Sequence, residues 1–161
     1  MTGGRLRRLI ALALTVPLVA ALAGCGQSSG GRTPDLSRLP LVAGAQVVAQ
    51  VKECDSGANA FCALELVIVD PRYKTPDDML NAEHDRLRAA GWTGANADTG
   101  EQHAADSPGH NLRLTYATAA GELKGTGLGW TKRAQPIKLA LSRAMLYQSA
   151  ALSLMLEQGA S

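Results

Sequence analysis

Two periods of apolar residues run through this chain, and they predict its elements. Residues 46–54 (QVVAQVKEC) are β-branched and alternate loosely, and residues 61–70 (FCALELVIVD) form a stronger strand pattern. Both read as strands, and the turn-forming run at 55–60 (DSGANA) between them predicts a β-hairpin. The hairpin carries a conflict. Val47, Ala49 and Val51 share one face, whereas Leu64, Leu66 and Ile68 share a face with Cys62. If Cys54 and Cys62 point the same way across the ladder, both faces are apolar. Either both are covered or a bulge shifts the register.

The pattern then changes to a helical one. Thr75 suits an N-cap, Pro76 the first helical position, and Asp77 and Asp78 the positive end of the helix dipole. The spacing predicts a helix over 76–90 that buries Leu80, His84, Leu87 and Ala90 or Gly91, with Met79 and Ala89 beside them. Gly91 suits the left-handed position that ends a helix, and Trp92 can then fold back on Leu87.

Residues 92–97 predict a short strand and 98–109 (DTGEQHAADSPG) a polar loop. Residues 112–118 (LRLTYAT) alternate cleanly, with Leu112, Leu114 and Tyr116 inward and Arg113, Thr115 and Ala117 outward. The glycine-rich stretch 121–132 reads as a turn or an edge strand. The segment 136–157 is apolar almost all round. It predicts two short helices, 136–147 and 150–157, with a strand at 137–142 as the alternative for its first part. Lys138, Arg143 and several polar residues argue against a membrane span there. The expected architecture is α+β: an antiparallel sheet of about four strands, one well-defined helix, and C-terminal helical segments.

The first forty residues follow neither period. Arg5, Arg7 and Arg8 precede a largely apolar run of fifteen residues, 9–23, with Pro17 as its one strong helix breaker. This run is short of the ~20 residues of a permanent membrane helix and has the layout of an export signal. It ends in Leu22-Ala23-Gly24-Cys25, which resembles the lipobox of bacterial lipoproteins. The resemblance covers four residues and the signal in front of them. It implies a diacylglyceryl thioether on Cys25, cleavage between Gly24 and Cys25, and acylation of the new amine. The residue types suit that chemistry. A thiolate is nucleophilic enough to take the lipid near neutral pH, and small residues before it enter a protease cleft. Two or three acyl chains give stable attachment, where one is marginal. The residues around Arg7-Arg8 match a twin-arginine signal poorly, which favours the general secretory route.

The domain plan is then a signal at 1–24, a Gly/Ser/Pro-rich tether at 25–40 with a root-mean-square reach of about 20 Å, and one domain at 41–161. Cleavage takes 24 residues from 161 and leaves 137, enough for one core. It also changes the charge. The chain has 16 basic and 14 acidic side chains, and loss of three arginines leaves 13 against 14. The apparent basicity belongs to the signal, and no Lys/Arg cluster supplies a nucleic-acid surface. Arginine outnumbers lysine eleven to five, a bias common in high-GC bacteria such as actinomycetes. With Cys25 carrying lipid, Cys54 and Cys62 form an even pair, most simply a disulfide in an exported chain. Their spacing does not suit a redox motif.

Other candidate chemistry is sparse. Glu101, His103, Asp106 and His110 place two imidazoles and two carboxylates within ten residues, the types that bind zinc, but at no established metal spacing. His84 reads as a core histidine bonded to a backbone carbonyl. Gly125, Gly127 and Gly129 resemble a nucleotide loop only superficially, because Trp130 stands where a third spaced glycine belongs. Trp92 and Trp130 suit core or rim roles more than a ligand cleft. No cofactor is implied. The expected partners are the membrane, through acylated Cys25, and an unidentified envelope component. The expected function is a non-catalytic envelope module, with a metal-binding protein or hydrolase using residues 101–110, and a lipid carrier, as alternatives.

Overall fold

A computed structural model describes residues 33–54, 62–94, 101–129 and 132–158. The lipobox, Phe61, Trp130 and the turn at 55–60 lie outside these. The described chain forms an α+β domain: a six-stranded antiparallel sheet with three helices. The strands are β1 (Gln46–Cys54), β2 (Cys62–Val69), β3 (Thr93–Gly94), β4 (Gln102–Asp106), β5 (Leu112–Thr118) and β6 (Ala151–Gln158). They lie in the order β1-β2-β6-β5-β4-β3. The helices are α1 (Pro76–Ala89), α2 (Ala119–Gly127) and α3 (Gln135–Leu146).

The last strand holds the sheet together. Leu152, Leu154 and Leu156 of β6 sit opposite Ile68, Leu66 and Leu64 of β2 on one side. On the other side Leu154 and Leu156 meet Tyr116 and Leu114 of β5. The expected helix over 150–157 is therefore a strand, and a central one. A strand covered on both faces reads as an unbroken apolar run, which periodicity alone cannot tell from a buried helix. The first C-terminal helix is present as α3, one residue earlier than expected.

Both faces of the sheet are covered. On one, α1 and the arm before β1 enclose Leu64, Leu66, Ile68, Leu112, Leu114, Tyr116 and the three β6 leucines. On the other, Ile137, Leu141 and Ala144 of α3 and Ala119 of α2 enclose Val67 and Ala151, with Ala49, Val51 and Val69 at their margin. The hairpin's conflict is resolved in both ways at once. The second face is covered, and the register shifts between Val47 and Ala49. That shift brings Cys54 directly opposite Cys62, where they form a disulfide with their Cα atoms 4.0 Å apart. The bridge closes a loop of about nine residues, so replacing both cysteines by serine should cost about 2.5 kcal/mol. Urea unfolding of the paired variant against the oxidised protein measures this. The bulge also lies on an edge strand, where it discourages pairing with other chains.

Helix α1 starts and stops as its sequence dictates. The Thr75 hydroxyl accepts from the Asp78 amide at 3.1 Å, and Pro76 opens the first turn. At the other end Gly91 takes φ +81°. The Trp92 amide donates to Leu87 O at 3.0 Å and the Gly91 amide to Arg88 O at 2.9 Å, the paired bonds of a Schellman turn. The buried stripe is rotated from the expected one. It is Met79, Glu83 and Leu87, with Leu80 and His84 at its margin and Ala89 to Gly91 exposed.

Three further segments depart from expectation. The expected polar loop contains β4 and a short 3-10 turn, Pro108–His110. The inward residues of β4 include Ala104 and Ala105, whose small side chains give a weak strand signal. Of the expected strand at 92–97, the described part is β3 at Thr93–Gly94. The glycine-rich stretch opens as α2, capped by the Thr118 hydroxyl on the Gly121 amide. A side chain at Gly121 would meet the carbonyl oxygen of Glu101 at 3.2 Å, so glycine lets the helix approach β4. Finally, the arm before β1 does not wait until residue 41 to join the domain. Pro34 and Leu39 are buried and Leu36–Arg38 is a 3-10 turn.

Candidate functional site

The proposed metal quartet does not converge. His103 lies opposite Tyr116 in the β4–β5 ladder, on the face that α1 covers. Asp106 lies 3.6 Å from Arg113 and 3.8 Å from His110, which is exposed at the end of the 3-10 turn. Glu101 pairs instead with Lys124 of α2. Strand alternation is the cause, since residues 103 and 106 point to opposite faces. Among the described residues no three His, Cys, Asp or Glu side chains are placed to share a metal ion.

What the fold does bring together is His84, His103 and Tyr116. The His84 Nδ1 lies 2.9 Å from the Tyr116 hydroxyl, so this histidine is bonded to a side chain and not to a backbone carbonyl. The His103 ring stands 5.5 Å from the Tyr116 ring and 6.5 Å from that of His84. With Leu80 and Asn81 these residues line a cavity of about 210 Å³ between α1 and the sheet. Imidazole and phenol can each donate or accept a hydrogen bond. The arrangement can therefore hydrogen-bond a small polar group. His84, His103 and Tyr116 come from α1, β4 and β5, so sequence spacing had no means of linking them.

The other face holds a buried charge cluster. Glu65 of β2, Glu122 of α2 and Arg133, just before α3, have side chains almost fully out of water. The Arg133 Nε lies 2.7 Å from Glu122 Oε1, and one terminal nitrogen lies 3.5 Å from Glu65 Oε1. The contact with Glu122 is close but poorly aligned for a hydrogen bond. The Ala134 amide donates to Glu65 Oε2 at 3.2 Å, and Gln102 donates to Glu122 Oε2 at 3.1 Å. Burial pushes the Glu65 carboxyl above its ordinary pKa, against the Ala134 amide and Arg133. A cleft of about 450 Å³ opens over this cluster beside the disulfide, with Glu53, Lys132 and Glu157 at its rim. The legible signal was Glu65 itself, one carboxylate in the middle of an apolar strand.

Glu83 is a second such signal. It occupies the buried stripe of α1, where Oε2 accepts from the Val42 amide at 2.7 Å. Burial raises its pKa to about 7, opposed by that hydrogen bond and by Arg86. It fastens the arm to the helix. Asp70 does related work at the end of β2. The Arg72 guanidinium holds it below the usual carboxylate range, and the same guanidinium reaches the Ala43 carbonyl.

Of the remaining candidates, Trp92 is buried in the core, and Gly127 and Gly129 belong to the end of α2 and its closing turn. The described residues thus form a small α+β domain with a modest cavity at His84, His103 and Tyr116 and a buried ion cluster on the other face. No protein-family model and no curated relative matches the chain.

Proposed function

We propose that this chain is an exported lipoprotein. It is cleaved before Cys25, acylated on that thiol and held at the outer face of the cell membrane. There its α+β domain serves as a non-catalytic binding or structural module for an envelope partner. The observation that carries the reading is how the three cysteines are used. Cys54 and Cys62 are bonded to each other, as suits an oxidising compartment. The third, Cys25, ends the apolar run behind the arginines. No described helix is long and apolar enough to cross a membrane.

A fatty-acid analogue with a terminal alkyne, fed to expressing cells, tests this. The parent chain takes up label, and its mature amino-terminal peptide begins at Cys25 with the mass of a thioether lipid. Cys25→Ser loses all label and keeps the mass of the precursor. A serine variant that is labelled like the parent overturns the reading.

A further inference from the structure

The described surface exposes seven large apolar side chains, and five of them gather at one end of the sheet. Met145, Leu146 and Tyr147 close α3. Val47 and Val48 open β1. The ladder shows that these are the same end. Ala151, four residues after Tyr147, pairs with Val69, and Val69 pairs with Gln46. Leu146 and Tyr147 are each 75% exposed, more than a turn residue needs and unusual for large apolar groups side by side.

This is also the end at which the arm delivers the chain into β1. Eight residue-to-residue steps lead from Cys25 to Thr33, the first described residue. Fully extended, they reach about 28 Å. Pro34 and Leu39 are already part of the domain, so the arm adds little further reach. The tether therefore holds the domain within about 28 Å of the surface to which Cys25 is fixed.

We infer that the end bearing Val47, Val48, Met145, Leu146 and Tyr147 rests on the lipid surface. This contact is the domain's own, and it rests on the lipoprotein reading. Tyr147 suits an interface, since its ring is apolar and its hydroxyl is polar. Arg143 lies one turn before Tyr147, and no carboxylate occurs between Glu122 and Glu157, so α3 offers no negative charge to lipid headgroups. Arg72 and Lys74 follow β2 at the same end, and Asp77 and Asp78 open α1 beside them. The rim is therefore mixed in charge, and apolar contact, more than charge, supplies the attachment. Asp85, on the outward side of α1, stays in water.

The test uses the full lipidated chain in vesicles of phosphatidylcholine with phosphatidylglycerol. A nitroxide is placed at Leu146→Cys, and in a second sample at Asp85→Cys. The native disulfide and the acylated Cys25 leave the introduced thiol as the one that reacts. Collision with oxygen, which concentrates in lipid, is compared with collision with a water-soluble nickel chelate. At 146 oxygen dominates and nickel access falls several-fold on reconstitution, while at 85 nickel dominates throughout. Tyr147→Glu, at an exposed position, returns the 146 label to water while the chain still floats with the vesicles. A chain that floats, carries the thioether and keeps both labels equally exposed to nickel overturns this inference alone. Spin–spin coupling between 146 labels means that a second copy covers the end, and also overturns it. A chain without a thioether on Cys25 overturns both readings.

Discussion

Arg133→Ala should destabilise the domain by about 3–5 kcal/mol near neutral pH, the usual result of removing one partner from a buried ion cluster. Its side chain is 5% exposed and stands between Glu65 and Glu122. Without it, two buried carboxylates face each other across the space it leaves. The loss should shrink as pH falls, because burial already favours the protonated form of Glu65. Urea midpoints at several pH values, with the slope of the transition unchanged, measure the effect. Adding Glu65→Gln and Glu122→Gln to Arg133→Met should recover much of the loss, since no ionised group then remains buried. A cost below 1 kcal/mol for Arg133→Ala would mean that water reaches the carboxylates freely.

The second large effect is a pH dependence set by Glu83. Its folded pKa of about 7 lies above the ordinary 4.5, so the folded state holds a proton that the unfolded chain has released. Stability from this group is full below about 4.5, is lost as pH rises towards 7, and is level above that. The shift corresponds to at most about 3 kcal/mol. Glu65 slopes in the same direction, whereas Asp70 acts below the ordinary carboxylate range and leaves this window alone. Glu83→Gln keeps an oxygen for the Val42 amide and removes the charge. The variant should lose most of the slope between pH 4.5 and 7 and should unfold at higher urea than the parent at pH 8. A parent whose midpoint rises over the same window contradicts this assignment.

These groups share a feature with the rest of the domain. The sequence displayed each of them, but not its partner. Glu65 between leucines and Glu83 four residues from both Met79 and Leu87 are visible as charges at apolar positions. Arg133 and Val42 lie too far along the chain for any period to connect them. His103 shows the reverse. Nearness in sequence grouped it with Glu101, Asp106 and His110, and strand alternation separated it from Asp106 and brought it to Tyr116 and His84.

Local signals determined α1, its threonine cap and its glycine stop, the strand at Leu112–Thr118, the β1–β2 hairpin and the pairing of its cysteines. Each depends on backbone geometry or residue chemistry within a few positions, which a sequence carries whole. Tertiary structure decided that residues 151–158 form a central strand, that α1 turns Glu83 inward, and that glycine-rich 119–127 is helical. In each case burial between two layers outweighed propensity. Which layers would meet is a property of the assembled chain, since an apolar run, a lone carboxylate or a glycine takes its meaning from what packs over it.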